Sequence, residues 1–361
     1  MKIKQIPEDF LVEEIINIPI EKNGNQSYFW LIKKNWTTEG AISEISKRSK
    51  IKYRRFKFAG SKDKKAVTKQ AISVFKIEPK KLLNLKIKDI KLEFIGYGNK
   101  PISIGSLNGN KFTITLRNLK KKEIQEIKKK LEKIKNGFKN YFGFQRFGRG
   151  NTAKIGKEIL KGNLERAVKE IICFVSENES TDKKNFRKFA KENWKKWRLL
   201  LEKIPRGLKL EKLILEKLVK SPNDFAGALR VFPKHIRKLY VHAYQSKIWN
   251  LALREIKKPR EKYYLPGYKV KLKNDKFSKE IFKLLKKDKL TLEDFKCKKM
   301  PELAVKGVLR KAIVKPKNLK ILEMGKDDLN KNKYKLKISF KLPKGSYATT
   351  LLQFLGNFRQ S

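Results

Sequence analysis

Cysteine and histidine are scarce in this chain, and their scarcity excludes several kinds of site. The 361 residues include only Cys173 and Cys297, which excludes a disulfide framework and favours a reducing compartment. A zinc site would need both cysteines together with His235 and His242, the only histidines, and no Cys-x-x-Cys pair begins one. We therefore expect no bound metal.

Long apolar runs are also missing. No segment of 18 uncharged apolar residues occurs, and Met1–Phe10 lacks the apolar core of a signal peptide. The glycine-rich segment Gly143–Gly150 fits neither a dinucleotide-binding fingerprint nor a phosphate-binding loop. These absences predict a soluble, cytoplasmic protein with no membrane partner and no cofactor.

Acidic residues are few, and the resulting charge points to a polyanionic partner. The chain has 91 Lys and Arg against 36 Asp and Glu, a net charge of +55. The basic residues are spread along the chain and interleave with aromatic ones in Tyr53–Phe58 and Phe144–Arg149. Adaptation to a hot habitat would raise Lys and Glu together, whereas acidic residues are few here. A membrane surface is also disfavoured as the partner, because no long helix has a wide apolar face. We therefore expect a nucleic-acid partner.

The residue patterns predict an α+β domain interrupted by a mainly helical one. Period-two patterns dominate the first 150 residues, and from about residue 153 to 303 the pattern is helical. Helices are predicted over 164–173 and 185–202, with small strands near 267–272. Strand alternation then returns in Tyr334–Leu342, and such strands would have unpaired edges unless they joined the first sheet. The predicted domains are residues 1–152 with 304–361, and an insertion of residues 153–303.

The densest candidate for chemistry is the segment Phe58–Gln70, with sequence FAGSKDKKAVTKQ. Gly60 and Ser61 allow a tight turn that leaves Asp63 at a loop tip between Lys62 and Lys64. A carboxylate among cations stays ionised and can serve as a nucleophile, and Lys62 could support that state or hold a phosphate. The alternative is a turn aspartate among solvated lysines.

Two further segments carry candidate features. Asn140–Asn151 (NYFGFQRFGRGN) combines glycines, phenylalanines and arginines, which suits a loop that a nucleic-acid backbone approaches while a ring stacks on a base. Arg146 is its substrate-binding candidate, and the alternative is that the phenylalanines belong to the core. In Tyr240–Asn250 (YVHAYQSKIWN), helix packing is favoured over a metal pair formed by His235 and His242.

Taken in order, these segments resemble the TruD family of tRNA pseudouridine synthases, and Tyr240–Asn250 is most like archaeal and eukaryotic members. Further matches are PEDF from Pro7, GSLNGNKFTITLR from Gly105 and LPKGSYAT from Leu342. Departures include Gln353-Phe354, where members commonly show Arg-Glu, and an extra stretch at about 181–230.

The resemblance implies roles for individual residues. Asp63 is the expected catalytic aspartate, and Phe142 the ring that stacks against the target uracil. Asn140 is similar to the residue that holds the active-site loop near the aspartate. Lys4 and Phe10 match positions that line the catalytic cleft.

The resemblance also implies a fold and an activity. The expected fold is α+β, with a mixed, largely antiparallel sheet interrupted by the family-specific domain. The expected activity is the isomerisation of uridine to pseudouridine in tRNA by a monomer, at position 13 or, as in some relatives, position 35 of tRNA-Tyr. Whether Asp63 attacks the sugar or removes a proton from it stays open. The alternative function is a non-catalytic RNA-binding or ribosome-associated protein.

Overall fold

The structure is a computed structural model that describes residues 1–103, 105–177, 179–356 and the backbone of Arg359–Gln360. Within these residues no helix combines the length and the apolar character needed to cross a bilayer. The chain forms two compact units. The first, called the sheet unit, comprises residues 1–138 and 314–361, and the second, called the helical unit, comprises residues 139–313.

The strands, in chain order, are β1 (Lys2–Ile3), β2 (Phe10–Ile15), β3 (Gln26–Lys34), β4 (Phe56–Phe58), β5 (Val67–Phe75), β6 (Ile90–Gly98), β7 (Gly109–Leu119), β8 (Phe138–Lys139), β9 (Lys262–Tyr264), β10 (Leu309–Lys311), β11 (Ile313–Val314), β12 (Lys317–Lys326), β13 (Tyr334–Pro343) and β14 (Arg359–Gln360). The helices are α1 (Thr38–Ser49), α2 (Lys80–Leu83), α3 (Lys121–Lys135), α4 (Thr152–Leu160), α5 (Leu164–Cys173), α6 (Thr181–Glu192), α7 (Trp197–Lys203), α8 (Lys209–Lys220), α9 (Phe225–Arg230), α10 (Lys234–Arg254), α11 (Lys276–Lys287) and α12 (Ala348–Leu355).

The sheet unit is built on a mixed sheet with the strand order β12-β13-β7-β2-β5-β3-β6. The β2–β5 pair is parallel, whereas the other neighbouring pairs along this order are antiparallel. β13 returns from the end of the chain to pair with β7, in the register Ile338↔Ile114. The predicted α+β class, its largely antiparallel mixed sheet and the return of the C-terminal strand to the first sheet are thus confirmed.

Amphipathic helices cover this sheet because their apolar residues repeat at helical spacing. On α3 the residues Ile124, Ile127, Leu131 and Ile134 are buried in one core with β7 and β13. α1 begins after Thr37, whose hydroxyl accepts a hydrogen bond from the Gly40 amide at 3.0 Å and caps the helix. α1 packs Ala41, Ile42 and Ile45 into a second core with β3 and β5.

The helical unit contains α4 to α11 and the two-stranded pair β9–β10. α5 has the predicted bounds, Leu164–Cys173. The helix predicted over 185–202 is instead two helices, α6 and α7, because Lys195 between them adopts a left-handed backbone with φ of 75°. Of the strands predicted near 267–272 only an isolated bridge between Tyr268 and Lys306 is present, and the strand of this region is β9, a few residues earlier.

The unit boundaries lie after residues 138 and 313, whereas the sequence predicts them after residues 152 and 303. The segment 139–151, which includes the NYFG motif, therefore belongs to the helical unit. Its backbone is bonded there: the Asn140 amide donates to the Ala312 carbonyl at 2.7 Å, and the Phe142 amide donates to Asn250 at 2.8 Å. Hydrogen bonds to residues far away in the chain place this segment in the helical unit, and the local periodicity of the sequence gives no information about such bonds.

Candidate active site

The loop that carries Asp63 connects β4 to β5 and is held by buried polar side chains. Gln70 on β5 donates from Nε2 to the Gly60 carbonyl at 3.1 Å. The Thr38 hydroxyl donates to Gln70 Oε1 at 2.8 Å and accepts from the Lys62 amide at 2.9 Å. Thr38 and Gln70 are both fully buried, so these bonds are shielded from water. The start of the loop is therefore fixed to the sheet and to the first turn of α1.

The Asp63 carboxylate forms an ion pair with a lysine from the N-terminus of the chain. Lys4 Nζ lies 2.5 Å from Asp63 Oδ2. The Lys4 side chain is 6% exposed and that of Asp63 is 31% exposed, so the Asp63 side chain is partly accessible to solvent. The same ammonium lies 4.0 Å from the centroid of the Phe10 ring, a cation–π distance. The structure thus brings Asp63, Lys4 and Phe10 together.

Lys4 adopts a backbone conformation that is uncommon for a residue with a side chain, with φ of 56°. Such strain persists where the surrounding structure holds it, and it is concentrated at functional sites. The flanking chain is held through Arg117 on β7, whose Nε donates to Asp9 at 2.7 Å. Arg117 also donates to Asp327 and Asp328, each at 2.8 Å. This cluster anchors the segment that presents Lys4.

For Arg117 and Asp327, burial and hydrogen bonding shift the pKa in opposite directions. Burial opposes the charge on Arg117, but the hydrogen bonds that its guanidinium donates to the three carboxylates outweigh this effect and raise its pKa. Burial also opposes the charge on Asp327, but the backbone amides of Asn118 and Leu329 outweigh it and lower the pKa of that carboxyl. Both groups are therefore charged at neutral pH.

A second lysine, Lys33, contacts the backbone of the Asp63 loop. Lys33 on β3 is 1% exposed, and its ammonium donates to the Trp36 carbonyl at 2.6 Å and to the Asp63 carbonyl at 3.1 Å. Burial lowers the pKa of Lys33 to about 8, although the charges of Asp63 and Glu39 oppose this. Lys33 therefore binds the backbone of Asp63, whereas Lys4 binds its side chain.

Lys62 has a partner that local sequence does not indicate. Its ammonium donates to Glu14 Oε1 on β2 at 2.7 Å, and both side chains are buried. Glu14 also accepts from the Ala71 amide at 2.9 Å, so this pair joins the loop to β2 and β5. Lys62 thus pairs with Glu14, and a cation that contacts the Asp63 carboxylate is Lys4, from 59 residues away.

The other candidate residues, Asn140, Phe142 and Arg146, lie in the helical unit. Phe142 is 8% exposed, and its backbone is clamped by Asn250 on α10, which accepts from the Phe142 amide at 2.8 Å and donates to its carbonyl at 2.9 Å. The guanidinium carbon of Arg310 lies 3.9 Å from the centroid of the Phe142 ring, and that of Arg146 lies at 5.4 Å. Phe142 is therefore held in both backbone and ring.

Asn140 is likewise held by several elements. Its side-chain amide donates to the Lys311 carbonyl at 3.0 Å. Its carbonyl accepts from the Trp249 indole at 3.2 Å and from Arg310 at 3.3 Å. Its side-chain oxygen is buried and has no hydrogen-bond partner among the described residues.

Sequence reasoning missed Asn250 and Arg310 as residues of this region. Asn250 ends the quoted YVHAYQSKIWN motif, where only helix packing is predicted. The packing is present too: a Cβ on Gly156 of α4 would lie 2.0 Å from the Tyr240 carbonyl, so this glycine lets α4 approach α10 closely. His242 contacts Gln245 at 3.3 Å, and burial lowers the pKa of its imidazole. Arg310 has no motif around it that would have revealed it.

The two cysteines lack the surroundings of reactive nucleophiles. Burial raises the pKa of Cys173 to about 11 and that of Cys297 to about 12, so both are thiols at neutral pH. Asp63, by contrast, is a partly exposed carboxylate on a braced loop. Such a group can act as a nucleophile or as a base.

The fold is that of a solved pseudouridine synthase structure. The crystal structure of the "putative tRNA pseudouridine synthase D (TruD)" from Methanosarcina mazei superposes with a TM-score of 0.80 at 30% sequence identity, covering 98% of this chain and 93% of that one. The class indicated is an α+β isomerase that acts on tRNA.

Sequence comparisons identify the family. The family model for tRNA pseudouridine synthase D (TruD) matches residues 1–262 and 257–354. The "probable tRNA pseudouridine synthase D 2" of Methanocaldococcus jannaschii is 36% identical over 394 aligned positions, which cover 99% of this chain and 92% of that protein. The tRNA pseudouridine synthase D of Aquifex aeolicus is 32% identical over 396 positions, covering 98% of each. The chain belongs to the tRNA pseudouridine synthase D family, and the resemblance seen in its motifs is confirmed.

Proposed function

We propose that this protein converts uridine to pseudouridine at position 13 of tRNA, with Asp63 as the catalytic carboxylate. The observation that carries the proposal is the Lys4–Asp63 ion pair, formed on a doubly braced loop in a member of this family. Lys4 keeps an acceptor-only carboxylate in one orientation, and the accessible part of Asp63 receives the sugar of the target nucleotide.

The reaction exchanges one bond of uracil for another. The bond between C1′ of the ribose and N1 of uracil breaks, the base rotates, and a bond forms between C1′ and C5. The proton on C5 is lost and N1 gains one, so the product is an isomer and no redox partner is required. Asp63 acts at the sugar, either as the nucleophile at C1′ or as the base that removes a sugar proton, and both routes use its carboxylate form.

The target base must leave the stack before it can react. Flipping a nucleotide costs a few kcal/mol, and stacking on an aromatic ring offsets part of that cost. We assign the stacking role to Phe142, which Asn250 and Arg310 hold in place. In this proposal Asn140 positions the loop and Arg146 contacts the RNA backbone.

Lys62 and Phe10 have supporting roles in this proposal. Lys62 holds the loop through Glu14, and Phe10 offers its ring to the ammonium of Lys4. The enzyme acts on tRNA in the cytoplasm as a monomer and without a cofactor. Position 35 of tRNA-Tyr is a second candidate target.

The test is the substitution Asp63→Asn, which keeps the size of the side chain and removes its charge. We expect pseudouridine formation to be abolished while the Kd for tRNA changes by less than about fivefold. The matched control is Asp89→Asn in the same unit, an exposed aspartate with φ of 62°, a conformation that asparagine also tolerates. The control should retain wild-type turnover, and turnover by the Asp63→Asn variant would refute the assignment.

The target nucleotide is identified by mapping pseudouridines in bulk tRNA from a strain that lacks the gene. Loss of the modification at position 13 alone supports the proposal as stated, and loss at position 35 of tRNA-Tyr adds the second target. An unchanged map would indicate a non-catalytic RNA-binding protein.

A further inference from the structure

A groove in the sheet unit is lined mainly by cations. Its walls include Lys52, Arg54, Arg55, Lys57 and Lys76 together with the ring of Phe75, and its volume is about 910 Å³. Within the described part of the chain, no carboxylate contributes to its lining. The proposed chemistry at Asp63 uses none of these residues, although the basic and aromatic segment Tyr53–Phe58 supplies three of them, Arg54, Arg55 and Lys57.

The local fold gathers these side chains into one place. β4 pairs antiparallel with β5 in the register Lys57↔Ser73, so the segment before β4 lies beside the end of β5. The Arg55 guanidinium closes this junction by donating to the carbonyls of Phe75, at 2.8 Å from Nε, and of Lys76. Arg55 therefore has a structural part, and the other cations are presented around it.

The other four cations of the groove and the Phe75 side chain are exposed to solvent. Lys52, Arg54, Lys57 and Lys76 are exposed, and Phe75 is 42% exposed, which is unusual for a large aromatic residue. Lys76 Nζ lies 5.5 Å from the centroid of the Phe75 ring. The groove thus offers several ammonium and guanidinium groups and one ring on which a base can stack.

Among the residues that the structure describes, no carboxylate compensates the charge of the groove. Among the described residues, none of the five cations has a carboxylate oxygen within 4.0 Å of its charged group. Other lysines of this unit are paired, as Lys69 is with Glu93 at 3.0 Å. Like charges gathered in a concave site repel one another and attract a polyanion.

The groove lies at a defined distance from the catalytic loop. β5 begins next to the loop that carries Asp63 and ends at Phe75, and eight residue steps of a strand span about 26 Å. One strand of duplex DNA carries a phosphate every ~3.4 Å of helix axis, and the A-form helix of RNA is more compact along its axis, so this span corresponds to at least about eight nucleotides of RNA. An RNA arm that reaches Asp63 is long enough to reach the groove.

We propose that this groove is a docking subsite for the phosphate backbone of the tRNA substrate, remote from the reacting nucleotide, with Phe75 stacking an unpaired base. The proposal rests on the proposed function, because it takes tRNA as the polyanion. Since phosphate contacts carry no sequence information, the groove supplies affinity and orientation and leaves base choice to the catalytic site.

The test is the triple variant K52A/R54A/K57A, which removes three exposed cations and keeps Arg55. The matched control is K122A/K129A/K133A, which removes three exposed lysines from α3 in the same unit. A second control, K52R/R54K/K57R, keeps the charge of the groove. Kd and KM for tRNA, kcat at saturating tRNA, and the salt dependence of Kd are measured for each protein.

We expect Kd and KM of the groove variant to rise roughly 10- to 100-fold, with kcat within about twofold of wild type. The slope of log Kd against log salt concentration should fall by about 2 to 3, since each lost phosphate contact removes about 0.7–0.9. Both controls should stay within about threefold of wild-type Kd.

Three results would overturn the subsite. One is an unchanged Kd, which would show that the groove does not bind the tRNA backbone. Another is an equal loss in the α3 control, which would make the effect one of total charge. The third is a loss of kcat without a change in Kd. If wild-type protein forms no pseudouridine, the proposed function fails, whereas the Kd comparison still reports on the groove.

Discussion

Removing the buried ammonium of Lys33 should change how the stability of the protein depends on pH. Lys33 is 1% exposed and donates to the carbonyls of Trp36 and Asp63, at 2.6 and 3.1 Å. Burial lowers its pKa from 10.5 to about 8. The substitution Lys33→Met keeps a linear side chain of similar length and removes both the charge and the donors.

The magnitude follows from the pKa in the two states. A pKa that is lower in the folded protein means that the unfolded chain binds more protons between about pH 8 and pH 10.5, so the free energy of unfolding rises with pH in that window. Below pH 8 the buried charge costs about 3 kcal/mol of stability. About 2 kcal/mol of this should be recovered between pH 7 and pH 9.5.

The methionine variant should lack this gain. The variant no longer buries a charge, which favours its folded state. It also leaves the carbonyls of Trp36 and Asp63 without their donor, and each unpaired carbonyl lowers the free energy of unfolding by about 1–3 kcal/mol. Near pH 7 these two effects oppose each other, and only the cost of burying the charge changes with pH. At pH 9.5 the variant should be about 2 kcal/mol less stable, relative to wild type, than it is at pH 7.

The assay is urea unfolding at pH 7 and pH 9.5, followed by tryptophan fluorescence, for wild type, Lys33→Met and the control Lys88→Met. Lys88 is exposed, so its substitution should leave the pH dependence as in wild type. All three proteins share the other titrating groups, and the difference between curves isolates Lys33. A wild-type minus Lys33→Met difference that is the same at both pH values would refute the reasoning.

Two further predictions concern the residues around Asp63. Lys4→Met removes a charge-assisted hydrogen bond of about 1.5–3 kcal/mol, so kcat/KM should fall roughly 10- to 150-fold. The Kd for tRNA should stay within threefold of wild type. Steady-state turnover within twofold of wild type would contradict this prediction. Arg117→Met leaves the buried Asp9 and Asp327 without their cation and should lower the free energy of unfolding by about 3–5 kcal/mol. Arg117→Lys should recover part of this loss. An unchanged urea midpoint of Arg117→Met would show that the cluster does not stabilise the fold.

Local pattern was sufficient for elements whose own residues decide their structure. α5 has a strong apolar stripe and the bounds Leu164–Cys173 that its periodicity predicts. β13 alternates cleanly, and its pairing with β7 follows from the need to cover a strand edge. The strand pattern does not predict β12, because most of its side chains are exposed and its apolar residues, Leu319, Ile321, Leu322 and Met324, do not keep to one face of a strand.

The prediction for the Asp63 loop shows where local pattern stops being sufficient. The neighbours Lys62 and Lys64 suggested the cations around the carboxylate, but Lys62 pairs with Glu14 on β2. Lys33 and Lys4 reach Asp63 from positions 30 and 59 residues away in the chain. Only the register of the sheet and the path of the N-terminal segment bring them there.

By itself, the sequence determined the class of partner, the family and the candidate catalytic carboxylate. Net charge is additive over residues, and a motif is a property of residues that follow one another, so neither needs the fold. The tertiary structure alone decided that Lys4 holds the Asp63 side chain, that Lys33 holds its backbone, and that Asn250 and Arg310 hold Phe142. The physical reason is that hydrogen bonds and ion pairs act over a few ångströms in space, and distance along the chain does not predict which groups come that close.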